Sequence, residues 1–200
     1  MRLRLRLVAV HDKRPGLLRG GLALIALALV CLPAIASAEP LIGRASVIDG
    51  DTIEVHGTRI RLAGIDAPES RQTCRVKATK ETIRCGQHAA LWLADMIGTR
   101  PVTCATMGRD KYRRTLARCA VDGLDIGAAM VRNGWALPYM RPGKRYEVDE
   151  SIARKAKAGL WATRFQKPWD WRRRNLATSK QSGQPITPAP QPRPSPAHKR

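Results

Sequence analysis

Apolar and polar positions alternate most clearly between Val47 and Glu69, in the run VIDGDTIEVHGTRIRLAGIDAPE. Asp51, Ile53 and Val55 alternate with Thr52 and Glu54, the period of a strand with one buried face. In the next run Ile60, Leu62, Gly64 and Asp66 share one face, and Arg61, Ala63 and Ile65 share the other. His56-Gly57 between the runs reads as a tight hairpin turn, because glycine tolerates positive φ. In an antiparallel pair the start of the first strand lies beside the end of the second. The hairpin therefore brings Asp51 and Asp66 together at one end, on the side that carries Ile53, Val55, Ile60 and Leu62.

The pattern changes downstream. Ser70 to Arg84 is rich in Arg, Lys and Thr and reads as a surface loop. From Gly86 to Ile97 the apolar residues Ala89, Trp92, Leu93, Met96 and Ile97 recur at helical spacing, and Gly98 supplies a stop. His88 lies in this helix without an identifiable catalytic partner and reads as structural or exposed. Val102–Thr106 and Thr115–Val121 form a second strand pair around the loop MGRDKYRR. Leu124–Arg132 is a second helix, with Ile126, Ala129 and Met130 on one face and Asn133-Gly134 ending it. Trp135 to Tyr139 is short and extended, and Glu147–Ala158 is a third helix stopped by Gly159. Trp169 and Trp171 read as packing residues, with a nucleic-acid surface as the other possibility.

The ends differ from this middle. Residues 1–38 carry a basic front of Arg2, Arg4, Arg6, Lys13, Arg14 and Arg19, an apolar run from Gly20 to Ala36, and small residues before Glu39. That is the layout of an export signal; an uncleaved membrane anchor is the competing reading. From Leu176 to Arg200 the chain is polar and holds six prolines, which indicates a disordered tail. The domain between spans residues 39–175. Cys74, Cys85, Cys104 and Cys119 are even in number, which in an exported protein reads as disulfides. The absence of a close Cys-x-x-Cys pair argues against zinc. Of the three pairings possible, Cys74–Cys85 and Cys104–Cys119 are expected. The first closes a short loop before a helix, and the second joins neighbouring strands.

Charge narrows the partner. The chain has 36 basic and 16 acidic residues, a net of +20. Without residues 1–38 it keeps 30 and 15, a net of +15, so a polyanionic partner is expected either way. At the hairpin end the problem is reversed. Two carboxylates on an apolar edge repel each other and lose hydration, so they need a counter-cation. Arg61 is one, and a hard metal ion is another: calcium takes about six to eight oxygen ligands from carboxylates, carbonyls and water. Glu69 is a third acid within reach. Taken singly, these acids also read as turn, cap and solvated residues. The loop at Arg109–Arg114 interleaves cations with Tyr112, which suits phosphate and a sugar or base.

Asp49-Gly50-Asp51-Thr52, then Arg61-Leu62-Ala63-Gly64-Ile65-Asp66-Ala67-Pro68-Glu69, then Asp110-Lys111-Tyr112-Arg113-Arg114 resemble the staphylococcal nuclease family in order and spacing. The resemblance runs from about Gly43 to Trp161. It implies a mainly β fold with α (α+β), a five-stranded OB-type barrel with about three packed helices. It also implies calcium-dependent cleavage of DNA and RNA at the P–O5′ bond, leaving 3′-phosphates. On that reading calcium is held by Asp51, Asp66 and the Ala67 carbonyl. Arg61 and Arg114 donate to the phosphate, and Glu69 activates water. Lys111, Tyr112, Arg113 and Tyr139 contact the substrate. Single strands are the preferred substrate, the protein is a monomer, and no protein partner is implied. Strict alternation puts Arg61 opposite Asp66, so the strand must bend, and Gly64 is the place to expect it.

Arg113 departs from the family, many of whose members have glycine there. A glycine in that place serves a positive φ or a close backbone approach. The expectation is that Arg113 points outward and adds a phosphate contact. Two other functions fit the same residues. One is an OB module that binds single strands without cutting them. The other is a basic envelope-surface protein on anionic lipid.

Overall fold

The computed structural model describes residues 39–110, 112–139 and 145–182, apart from the side chains of 179–182. The export signal or anchor at 1–38, Lys111 and the tail from 183 onward lie outside the described residues.

The alternation of the first run folds as read. β1 (Leu41–Asp49), β2 (Thr52–Val55) and β3 (Thr58–Leu62) form an antiparallel meander. Val55 pairs with Thr58 across a two-residue turn, and His56 and Gly57 both have positive φ, as a tight hairpin requires. β4 (Ile65–Asp66), β5 (Cys74–Val76) and β6 (Thr82–Ile83) follow. Next come helix α1 (Cys85–Ile97), β7 (Pro101–Arg109) and β8 (Thr115–Val121). The sheet order is β3-β2-β1-β7-β8, and β3 also pairs with β8 in parallel, which closes a five-stranded mixed barrel.

The barrel interior is one apolar cluster. It draws Ile53 and Val55 from β2, Ile60 and Leu62 from β3, Val102 from β7 and Val121 from β8. Leu93 and Ile97 of α1 close it on one side. Ile126 and Met130 of α2 (Ile126–Arg132) close it on another, after the short β9 (Leu124–Asp125). Each such side chain contributes about 1.5–3 kcal/mol when buried. Trp92 packs against this cluster at its margin.

The rest of the chain is built from short pieces. β10 (Leu137–Pro138) pairs with β4, and α3 (Glu147–Ala156) leads through a 3-10 turn (Gly159–Ala162) to β11 (Thr163–Arg164). The stretch Ser70 to Arg84, expected to be loop, carries β5 and β6, and β5 pairs with β11 as well. Strands of two or three residues are too short to show a period. The Cys74–Cys85 bond ties β5 to the start of α1, and Cys104–Cys119 joins cross-strand partners of β7 and β8.

About three helices were expected; the described residues hold four. The fourth, α4 (Pro168–Ser182), continues past Leu176, where the tail was placed. Its proline sits at the first helical position, where the missing N–H matters least. The stretch RRRNLATSKQS lacks an apolar stripe, so periodicity does not reveal it.

Candidate active site

Asp51 sits in the turn between β1 and β2, and its backbone N–H donates to Asp49 Oδ1 at 3.0 Å. Its carboxylate is 4% exposed as a residue and fully engaged. Oδ1 accepts from the Thr52 hydroxyl at 3.1 Å and from Arg61 Nη1 at 2.9 Å; Oδ2 accepts from the Ala67 N–H at 3.1 Å. Arg61 Nη2 donates to Asp66 Oδ1 at 2.6 Å. One guanidinium thus bridges the two carboxylates that the hairpin brings together, and Ala67 lies against Asp51.

The strand bends where expected. Gly64 has φ +83° between β3 and β4, which breaks the alternation. Ile65 and Asp66 are then both buried, and Asp66 comes round to the Arg61 side chain. β10 holds this corner: Leu137 pairs with Asp66, and the Tyr139 N–H donates to the Gly64 carbonyl at 2.9 Å.

Glu69 follows on a braced loop. Its carbonyl accepts from the Gln72 N–H at 2.7 Å, and its own N–H donates to Gln72 Oε1 at 3.3 Å. A Cβ on Gly86 would overlap the Glu69 carbonyl oxygen, so a residue without one lets α1 begin directly against this loop.

The electrostatics follow from burial. Burial, aided by Asp49 and Asp66, pushes the Asp51 carboxyl up to about 8, while Arg61 and the Ala67 N–H oppose the rise. Burial works against the Arg61 charge, but Asp51 and Asp66 outweigh it and keep the guanidinium more firmly protonated than usual.

Sequence reasoning missed one member. Arg172 of α4 pairs with Asp66 through Nη1–Oδ1 at 3.0 Å and Nη2–Oδ2 at 2.8 Å, and with Glu69 through Nη1–Oε1 at 2.6 Å. Burial opposes its charge, and the bonds to Asp66 and Glu69 overcome that and raise its pKa. The signal that could have revealed it is the charge balance at the hairpin end. Three acids stood against Arg61 alone.

The β7–β8 loop stands somewhat apart. Arg114 donates through Nε to Asp110 Oδ2 at 2.7 Å, and its guanidinium lies 5.5 Å from the centre of the Tyr112 ring. These bonds are made within its own loop rather than to Asp51, Asp66 or Glu69. The loop nonetheless feeds β8, whose Thr115 and Leu116 pair with Ile60 and Arg61. Tyr112 is exposed; Arg113 is exposed with φ 65°. Tyr139 stacks on Trp169 at 5.2 Å, so Trp169 packs back on the domain. His88 is exposed and stacks on Trp135 at 6.0 Å.

Residues 59–163 match the family model described as staphylococcal nuclease homologue. Among curated relatives, a succinoglycan biosynthesis protein of Rhizobium meliloti is 39% identical over 128 residues, which is 62% of this chain and 66% of that one. An uncharacterized endonuclease of Escherichia coli is 34% identical over 64% of this chain and 82% of its own length. A micrococcal nuclease of Shigella flexneri is 35% identical over 64% and 77%. Asp51 precedes the segment matched by the family model, and Arg172 follows it.

Proposed function

The chain belongs to the staphylococcal nuclease family and is a nuclease, and we propose that it hydrolyses DNA and RNA phosphodiesters with calcium at Asp51, Asp66 and the Ala67 carbonyl. The observation that carries this reading is the Arg61 bridge between two buried carboxylates, with Glu69 tied to the same acid through Arg172.

The donor set suits a hard divalent cation. Asp51, Asp66 and the Ala67 carbonyl are all oxygen donors, and two of them carry charge. Both acids are buried, and burial, aided by Asp49 and Asp66, is what raises the Asp51 carboxyl. Among the described residues no group of three or more His, Cys, Asp or Glu forms a metal cage. Two carboxylates and a carbonyl would thus leave positions for water and phosphate. Calcium bound there would polarise the phosphate and neutralise part of its charge.

The chain's own groups do the remaining work. Glu69, whose side chain is 37% exposed, takes a proton from the attacking water. Arg61 and Arg114 donate to the phosphate oxygens as negative charge grows on them; a guanidinium stays charged and binds in bidentate fashion. The P–O5′ bond breaks and a 3′-phosphate remains. Tyr112 and Arg113 meet the neighbouring backbone together with Lys111, and Tyr139 lies against a base. Single strands are the preferred substrate, because an unpaired base is free to reach Tyr139. The chain acts as a monomer. Its two disulfides fit an oxidising compartment, in keeping with export directed by residues 1–38.

The test is to incubate the purified protein with single-stranded DNA and with RNA, in calcium and in chelator. Cleavage of both in calcium alone is expected. Undiminished cutting in chelator would overturn the metal assignment.

A further inference from the structure

Helix α4 lies beyond the segment that the family model matches, yet it reaches the acid cluster. Three contacts hold it. Gln72, fully buried, donates through Nε2 to the Gln166 carbonyl at 2.6 Å, just before the helix begins. Trp169 in the first turn stacks on Tyr139. Arg172, one residue past Trp171, forks onto both oxygens of Asp66 and reaches Glu69. With Arg61 also on Asp66 Oδ1, each oxygen of that carboxylate faces a guanidinium donor. From Arg173 to Thr178 the helix is exposed, so its hold on the domain rests on these first turns.

These contacts occupy what catalysis needs. A hard cation binds a carboxylate through the same lone pairs that Arg172 now takes. A divalent ion and a guanidinium on one carboxylate also repel each other. The Trp169 ring lies on Tyr139, the ring assigned to a substrate base.

We propose that Arg172 is a residue of the metal site, an internal counter-ion that the cation must displace, and that α4 and the calcium–substrate pair therefore exclude one another. The inference rests on the calcium reading of Asp51 and Asp66. Without metal, Arg172 neutralises Asp66 and Glu69 and keeps the buried acids compatible with the fold. When the cation enters, Arg172 leaves Asp66, the first turn of α4 loses its ionic anchor, and Trp169 uncovers Tyr139. Because linkage is reciprocal, bound calcium weakens the docking of α4 by the same factor by which docked α4 weakens the binding of calcium.

The test is calcium titration by calorimetry at constant ionic strength on the full chain and on two variants. Arg172→Gln removes the competitor; Trp169→Ala removes the aromatic anchor and leaves every acid and arginine in place. Both should bind calcium more tightly, Arg172→Gln by about tenfold or more, since charge-assisted hydrogen bonds are lost only from the metal-free state. Hydrogen exchange of the amides at 169–174 should speed up when calcium is added to the wild type. Equal calcium affinity in all three proteins, with unchanged exchange, overturns the inference while leaving the metal site standing. Weaker binding by Arg172→Gln also overturns it, because Arg172 would then support the metal. No calcium binding by any of the three would instead overturn the calcium reading itself.

Discussion

Asp110 holds Arg114 at two points: Oδ2 accepts from the side-chain Nε at 2.7 Å, and Oδ1 accepts from the backbone N–H at 2.9 Å. The acid that opens the β7–β8 loop therefore orients the arginine that closes it. An arginine aimed at a phosphate is useful only when its fork is set beforehand, and an error of about 1 Å can cost about 100-fold in rate. Asp110→Ala should lower the turnover number by about that factor. Asp110→Asn retains an acceptor for the backbone N–H groups and should lose less. Steady-state kinetics on a single-stranded substrate decides it, and an unchanged turnover for Asp110→Ala would remove the orienting role.

The same acid sets a pH limit on the loop. Burial pushes the Asp110 carboxyl up, but the bonds from the Arg114 side chain and from the N–H groups of Arg114 and Tyr112 outweigh that and hold it below the usual carboxylate range. A depressed acid gives its stabilisation above its unfolded value of about 4 and loses it as pH falls through the folded value. The Arg114 Nε–H resonance should thus persist from neutral pH to below about 4. Its loss near pH 6 would contradict the contact.

Arg61 is structural as well as chemical. Its side chain is 13% exposed and compensates carboxylates whose side chains are 6% and 0% exposed. Removing one partner of such a buried group costs about 3–5 kcal/mol. Arg61→Ala should fall at the lower end, because Arg172 still pairs with Asp66. Glu69→Gln should change stability by less than about 1 kcal/mol, since its pair is partly exposed. Each should lower turnover by about 100-fold or more. Urea unfolding in chelator separates the two effects, and equal stability for both variants would show that Arg61 is not needed to hold the acids.

The parts of this site that were legible in the sequence are those set by local pattern. Alternation alone put Asp51 beside Asp66, and the one glycine in the second run marked the bend that brings Arg61 to them. The hairpin strands β2 and β3 and the first two helices carried their periods openly, whereas β1 was not read as a strand. Arg172 was illegible for a physical reason. It meets Asp66 from 106 residues away, on a helix held by a stacked ring, a buried glutamine and an ion pair rather than by an apolar stripe. The two-residue pairing of β4 with β10, which fixes Asp66 and Tyr139, was too short to leave a signal for the same reason as β5 and β6.

The two disulfides should separate by function. They close spans of 11 and 15 residues, each worth about 3 kcal/mol in the chain-entropy account. Replacing Cys104 and Cys119 together by alanine should lower stability by about that amount and leave turnover largely intact. Replacing Cys74 and Cys85 should lower both, because Cys85 begins the helix whose Gly86 packs on the Glu69 carbonyl. Denaturant midpoints and turnover of the two double variants test this. Normal turnover without the Cys74–Cys85 bond would mean that the Glu69 loop is held by Gln72 alone.

Arg113 has a φ of 65°, the backbone requirement that the glycine expected there from the family resemblance would serve. The chain accepts the strain, which for an L-residue in this region is about 1–2 kcal/mol. The side chain is exposed, between Tyr112 and the oriented Arg114, so the added cation is turned to solvent on the loop assigned to the substrate backbone. Arg113→Gly then has two separable consequences. Relief of the positive φ should offset, in part, the greater entropy that glycine gives the unfolded chain, so stability should move by no more than about 1 kcal/mol. Loss of the cation should weaken binding and make the slope of log affinity against log salt shallower by roughly 0.7, the value for one contact to a single strand. Turnover near saturation should not change, because the Asp110–Arg114 bonds do not involve the replaced side chain. Fluorescence anisotropy of a labelled single strand across a salt series, in metal-free buffer, measures the slope. An unchanged slope excludes the phosphate contact, and a large rise in turnover would show that Arg113 holds Arg114 away from its phosphate.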